Sequence, residues 1–312
     1  MNIIIAGAGA MGSRFAAALN HTGNHIILID GWPANVNEVR FNGMHVNVNG
    51  VETVEHFDIY GPDEINETTP KADLIIVLVK SYQLDKTFES LKPVITDDTY
   101  VICVMNGIGH EDTIRKYVPL SHILLGTTLW TARLDGPGHP VFTGEGAVSL
   151  QCFDEEGKEK CAEFIDLLNK AGLNACYSYD LRSVIYEKAC ITGVLNGLTA
   201  ILECNINEFR QLNAQMGPVA KQIIHEFAMV AAAEDIHQNE DTFLQEVDKY
   251  MENNADSFTT MYYDLIRSHR ITEIEYMNGA ISRKGRKYGI ETPYCDLITA
   301  LIHAKESLLN AF

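Results

Sequence analysis

The chain lacks most of the features that would place it at a glance. Nowhere in its 312 residues do eighteen apolar residues run together, so no membrane-spanning helix is expected. No Lys or Arg precedes Arg14, and Gly7, Gly9 and Gly12 break up the apolar opening, which argues against an export signal with its basic start and unbroken apolar stretch. The seven cysteines form no CxxC pair or zinc-finger spacing, and the eleven histidines include no HExxH. Reduced thiols in a cytoplasmic protein are therefore expected, and no metal site. Bases are scarce: 24 Lys and Arg stand against 42 Asp and Glu, a formal net charge of −18. Phosphate binding needs clustered cations, so a nucleic-acid partner is not expected, and the scattered acids read as solvated surface.

What is present suits a soluble globular enzyme, with 46% hydrophobic and 21% charged residues. The length favours two domains over one core. The opening is the most informative stretch. Asn2 to Ala6 reads as a buried strand and Met11 to Leu19 as a helix. They are joined by Gly7-Ala8-Gly9-Ala10-Met11-Gly12, a G-x-G-x-x-G. In such a joint the first glycine permits a tight turn, the second lets backbone approach a pyrophosphate, and the third lets helix and strand pack closely. The helix N-terminus adds free N–H groups and a partial positive charge.

A second strand, His25 to Ile29, ends in Asp30, where a βαβ dinucleotide fold places the acid that binds the adenosine ribose. A carboxylate there accepts from the ribose hydroxyls but repels a 2′-phosphate, by about 4 kcal/mol per unit charge at ~4 Å and an effective dielectric near 20. Residues 31–39 hold no Lys or Arg to offset this; the first is Arg40. The expected cofactor is thus NAD (NADH) rather than NADP. Trp32 can stack on adenine or cover the loop, and both readings stay open.

Further apolar strands at Asp73–Val79, Tyr100–Met105 and Ile123–Gly126 alternate with helical segments, which suits a parallel sheet covered on both faces. Leu134 to Leu150 is turn-rich and strand-like, and Glu156 to Ala171 helical. Beyond about Asp180, helical patterns dominate. The expected fold is α/β: a doubly wound Rossmann domain over residues 1–178, then an all-α domain for substrate and dimerisation over 179–312. Polar residues stand at strand ends, where such a sheet holds its ligand: Lys80-Ser81-Tyr82-Gln83, Asn106-Gly107 and Gly126-Thr127-Thr128. In the second half, Lys188, Thr192 and Asn196 recur every fourth residue on one face of an apolar helix, about 12 Å from first to last. A lysine there needs water, a counter-charge or a substrate. Glu273 is the other landmark. The apolar stretch HEFAMVAAAEDI fits either core or the interface of a homodimer.

Six motifs in order, AGAGAMG, LVKSYQ, MNG, EKACITGVLNGLTAI, SFTTM and TEIEYMNG, resemble the ketopantoate reductase (2-dehydropantoate 2-reductase) family over essentially the whole chain. The resemblance implies an N-terminal Rossmann domain, a helical C-terminal domain, a substrate cleft between them, and hydride transfer from a reduced nicotinamide to the keto carbon of a 2-oxo acid. It makes Lys188 the catalytic lysine and Asn106 the asparagine near nicotinamide and substrate. Lys80 and Gln83 become the cofactor-side pair, Asn196 and Thr260 substrate-binding residues, and Glu273 the glutamate closing over the cofactor. Three departures stand out. Asp30 replaces the base common in NADP-dependent members. Thr192 replaces the family's usual asparagine beside Lys188. Thr260 replaces a serine, with one residue more than usual between Met261 and Glu273. The first two favour a branch similar to the NAD-dependent D-2-hydroxyacid (D-mandelate) dehydrogenases, acting on 2-oxo acids bulky or branched at C3. Strict ketopantoate reduction is the alternative, and a nicotinamide-binding sensor without catalysis is a third.

Overall fold

The computed structural model describes residues 1–311. Its strands are β1 (Asn2–Ala6), β2 (His25–Ile29), β3 (Met44–Val48), β4 (Val51–Glu55), β5 (Asp58–Tyr60), β6 (Leu74–Val77), β7 (Tyr100–Cys103), β8 (Ile123–Thr128), β9 (Thr131–Leu134), β10 (Pro140–Thr143), β11 (Val148–Cys152) and β12 (Ala175–Tyr177). Eight of them form one sheet in the order β12-β11-β8-β7-β6-β1-β2-β5. The six strands from β8 to β5 are parallel, and β11 runs antiparallel to β8. Ile3, Ile4, Ile5, Ile27, Leu28, Ile75, Ile76 and Ile102 in its centre are fully buried. That is why these strands read as continuous apolar runs rather than alternating ones. The chain leaves β1 toward β2 on one side and later returns to β6 on the other. The carboxyl ends of β1 and β6 therefore flank the topological switch point, where open α/β sheets take their ligands.

A second sheet, ordered β4-β3-β10-β9, lies against the helix Ala10–Asn20. Only the β9–β10 half was legible as turn-rich, strand-like sequence. The other half is a hairpin whose Asn49-Gly50 turn has φ of 51° and 89° at its two central residues, the backbone that an Asn-Gly pair tolerates. β4 is almost wholly exposed, so it carries no hydrophobic pattern to announce it.

The chain divides into two compact units: Met1–Met105 with His110–Leu181, and Asn106–Gly109 with Arg182 onward. The first is the Rossmann-like unit. The second is helical, built on Leu181–Leu202, Asn213–Ala233, Glu240–Asn253, Asn278–Tyr288 and Pro293–Leu308, with Phe227, Phe243, Leu265, Ile281 and Ile302 in its core. Four residues from the strand-rich half join it, because Ile108 is buried in the helical core and its N–H donates to the Tyr276 carbonyl at 2.9 Å. All seven cysteines are free thiols, and only Cys176 is exposed. Among the described residues no helix is long and apolar enough to cross a membrane, and no group of three or more His, Cys, Asp or Glu could hold a metal ion.

Candidate active site

The glycine joint separates into three different physical situations. Gly7 has φ +101°, and a Cβ there would stand 2.8 Å from the Leu78 and Val79 backbone on the neighbouring strand end. A Cβ on Gly12 would collide with the Gly7 carbonyl. Packing within the protein therefore requires these two glycines. A Cβ on Gly9 would meet nothing within 4 Å. The protein does not need that glycine, whereas a phosphate approaching the backbone would. Gly9 caps the helix Ala10–Asn20, whose first turn holds no acidic residue to offset the positive end of its dipole. Ala8 is buried, and Ala10 and Met11 open the helix.

Asp30 follows β2, and its Oδ1 accepts the Trp32 N–H at 2.7 Å. Partial burial raises its carboxyl pKa, and hydrogen bonds from the Trp32 and Ala8 backbone and from Asn35 work against that rise. Asn35 is a brace that the sequence did not announce. Buried to 1% exposure, it donates to the Ala8 carbonyl at 3.1 Å and accepts the Gly138 N–H at 2.8 Å. An asparagine in a polar first turn gives no sign that it will be enclosed. Trp32 is 45% exposed. Lys80 and Gln83, both exposed, enclose a single turn after β6, closed by the Gln83 N–H to the Lys80 carbonyl at 2.8 Å. Beneath them the buried Ser81 hydroxyl lies 3.1 Å from His110 Nε2, a second brace without a sequence signal. The expected strand end at Gly126-Thr127-Thr128 is different: β8 runs through all three residues, because β11 pairs alongside, Thr127 with Ser149 and Thr128 with Val148.

The helical unit gathers the remaining candidates. Lys188 donates to Asn106 Oδ1 at 2.8 Å. This contact explains the use of the Asn106–Gly109 excursion, which carries the asparagine to the lysine. Gly107 permits it, with φ +99° and the Tyr276 backbone where a Cβ would be. Lys188 keeps an exposed surface, yet desolvation along its stem and head lowers its pKa from the ordinary lysine value; the opposite charge of Glu273 acts in the other direction. Thr192 turns its hydroxyl onto its own helix, 3.0 Å from the Lys188 carbonyl and 3.1 Å from that of Ala189. One turn on, the buried Asn196 donates to Thr260 Oγ1 at 3.3 Å, and its Nδ2 is 3.7 Å from Met277 Sδ. Neighbouring Thr259 is buried and lies 2.9 Å from Thr199 Oγ1, which fixes the start of the short helix that presents Thr260.

That helix widens into a π turn over Tyr263–Arg267, where the Ser268 N–H reaches the Tyr263 carbonyl five residues back at 2.9 Å. A π turn is how a helix absorbs one extra residue. Thr260, which accepts from Asn196, precedes this turn.

A glycine cradle beside a sheet's switch point, with a ribose-type acid after the second strand, is dinucleotide-binding architecture. The helical unit by itself holds an amine against an amide, and the class these features suit is the pyridine-nucleotide oxidoreductases. Comparison with known proteins narrows it. The family model "Ketopantoate reductase PanE/ApbA" matches residues 3–155, and its C-terminal counterpart matches residues 180–306. The chain belongs to the ketopantoate reductase family. A protein named 2-dehydropantoate 2-reductase from Lactococcus lactis subsp. lactis is 44% identical over 317 aligned positions, covering 100% of both chains. A crystal structure of a provisionally assigned 2-dehydropantoate 2-reductase from Enterococcus faecalis is 46% identical with a TM-score of 0.89, again over 100% of both. The ternary structure of D-mandelate dehydrogenase with NADH and anilino(oxo)acetate is 42% identical with a TM-score of 0.88, over 100% of both.

Proposed function

We propose that this protein reduces a 2-oxo acid to its D (R) 2-hydroxy acid, with Lys188 as the proton donor and 2-dehydropantoate as the first substrate to test. The observation that carries this reading is the 2.8 Å Lys188–Asn106 bond on a helix whose next two turns present Thr192 and Asn196. The names of relatives 43–44% identical over the whole chain support 2-dehydropantoate more than they support a mandelate-type substrate.

A bound reduced nicotinamide supplies hydride to the keto carbon. Gly7, Ala8, Gly9, Ala10, Met11 and Gly12 would hold its pyrophosphate and Asp30 its ribose, with Lys80, Gln83 and Glu273 as further cofactor contacts; the open space over Gly9 fits such a ligand. The chain's own work is on the substrate. Carbonyl reduction leaves a developing alkoxide that needs a proton and nearby positive charge, and the Lys188 ammonium offers both. Asn106 accepts from that ammonium and fixes its direction. Desolvation lowers the amine's pKa, so the proton leaves more readily. Thr260 accepts from Asn196 and keeps its own O–H to donate, which suits a carboxylate.

A second reading rests on Asp30 and Thr192. The carboxylate after β2 disfavours a 2′-phosphate, which favours NADH. The Thr192 hydroxyl is spent on helix carbonyls, so it has no proton for a polar substituent at C3 of the substrate. Both features favour NADH-dependent reduction of bulky 2-oxo acids of the phenylglyoxylate type, the preference the sequence suggested. Steady-state rates with NADH and NADPH on 2-dehydropantoate, 2-ketoisovalerate and phenylglyoxylate separate the readings. Highest kcat/KM on 2-dehydropantoate keeps the first. Highest kcat/KM on phenylglyoxylate with NADH replaces it with the second. Turnover of none would leave a nicotinamide-binding sensor.

A further inference from the structure

On the helical unit, His303 stands between two carboxylates. Its Nε2 is 2.8 Å from Glu275 Oε1 and its Nδ1 is 2.8 Å from Glu306 Oε2. A neutral imidazole has one N–H and one lone pair, and an ionised carboxylate can only accept. Both contacts are therefore hydrogen bonds only while the ring is an imidazolium.

The two carboxylates hold the ends of one short segment. Glu306 Oε1 accepts the Thr272 N–H at 2.7 Å, and Glu275 lies in the single turn Ile274–Tyr276. Between them is Glu273, whose charge acts on Lys188. The same turn ends at Tyr276, whose carbonyl accepts the Ile108 N–H and stands where a Cβ on Gly107 would be, so it supports the loop that delivers Asn106. Arg283 also grips the segment, through the Glu275 side chain and, at 2.5 Å, the Glu275 carbonyl. Arg283 reaches Glu275 and the Tyr276 ring, both on the same turn. Glu275 and Glu306 are joined by His303.

We propose that protonated His303 is a positioning residue for the reductase site: it clasps Glu275 to Glu306 and thereby holds the Thr272–Met277 segment that carries Glu273 and supports Asn106. This rests on the 2-oxo acid reductase reading for its effect on turnover. The groups facing the ring are Glu275, backed by Arg283, and Glu306. Burial pulls the ring's pKa down, but the hydrogen bonds and charges of the two carboxylates outweigh it and raise the pKa above the ordinary histidine value. The clasp is thus closed below the ordinary histidine value and opens as pH rises through the higher folded one, leaving two carboxylates facing a neutral ring.

The test compares wild type, His303→Gln and His303→Lys, each first checked for a cooperative thermal transition. When kcat/KM for a 2-oxo acid is followed against pH, wild type should decline as pH rises through the raised His303 value, read independently from the His303 ring signal. His303→Gln should be about tenfold slower at low pH and lack that limb, since small misplacements of catalytic groups carry costs of this size and larger. His303→Lys, a cation that does not titrate there, should recover the low-pH rate and carry it past the wild-type limb. A His303→Gln enzyme that keeps the wild-type profile, or is slowed with the limb unchanged, overturns the proposal. If no 2-oxo acid is turned over at all, the functional reading fails, and the clasp is judged without substrate. Hydrogen exchange of the Ile108 amide should then quicken in wild type as the His303 ring signal titrates, and be quick at every pH in His303→Gln. Exchange indifferent to both sinks it.

Discussion

At the residue scale the decisive atom is the Lys188 amine. Its bond to Asn106 and its lowered pKa suit the directed, releasable proton source of the proposed reaction better than a snorkelling surface charge. Lys188→Ala should lower kcat by about 10²-fold or more, the usual worth of a positioned general acid, while NADH binding followed by fluorescence persists. Loss of binding with loss of rate would instead make Lys188 a cofactor residue. The sign of the pH dependence follows from the direction of the shift. Reduction needs the ammonium, so its rate should fall as pH rises through a value below that of an ordinary lysine. Oxidation of the hydroxy acid needs the free amine and should rise through the same value. Rate profiles in the two directions with a shared midpoint would check this. Asn106→Ala should move that midpoint, because the amide holds the protonated form.

The elements explain both what was legible in the sequence and what was not. Five of the six parallel strands, β1, β2, β6, β7 and β8, and the Gly7–Gly12 joint were readable because burial on both faces and close backbone approach each leave a mark in residue type; the short edge strand β5, with only Ile59 buried, was not. Lys188, Thr192 and Asn196 were readable because a helix puts every fourth residue on one face. The β3–β4 hairpin was not, since an exposed strand carries no apolar pattern. Asn35 and the Ser81–His110 contact were not either, because a polar residue enclosed by distant chain looks the same in sequence as one in water. The excursion of Asn106–Gly109 into the helical unit belongs with these, being set by a hydrogen bond to Tyr276 far along the chain. The three glycines give an element-level prediction. Gly12→Ala should unfold or severely destabilise the first unit, as its Cβ has no space. Gly9→Ala should leave thermal stability near wild type but weaken dinucleotide binding several-fold, measured by titration calorimetry. Equal binding by Gly9→Ala would remove the pyrophosphate from this loop.

For the molecule as a whole, one buried ion pair matters more than the surface charge. Lys284 and Glu234 meet at 2.8 Å with 6% exposure on each side chain. The Tyr186 and Tyr288 hydroxyls donate to the same carboxylate at 2.6 and 3.1 Å, and Arg182 stands 3.6 Å away. Removing Lys284 leaves the buried Glu234 carboxylate with the two tyrosine hydroxyls and, 3.6 Å away, Arg182, so Lys284→Met should cost up to about 3–5 kcal/mol in chemical denaturation. Burial raises the Glu234 pKa, but Lys284 and the tyrosine hydroxyls more than offset this and hold it below the ordinary glutamate value. The stabilisation is therefore complete above the unfolded glutamate value and lost as pH falls through the lower folded one. Wild type should lose stability steeply in acid through this group, and Lys284→Met should lack that part of the decline. Surface pairs such as Lys71–Glu67 and Lys92–Glu89 should contribute little to either measurement.

Gly9 has one further consequence, which a heated sample would register. A cap glycine whose missing Cβ no neighbouring side chain or backbone demands leaves open space without improving the packed protein. Such space suits a ligand that comes from outside the chain. The melting temperature of the purified protein should therefore climb with added NADH, following the logarithm of its concentration above the dissociation constant. In Gly9→Ala the ligand-free melting point should stay near wild type, and the climb should begin only at higher NADH.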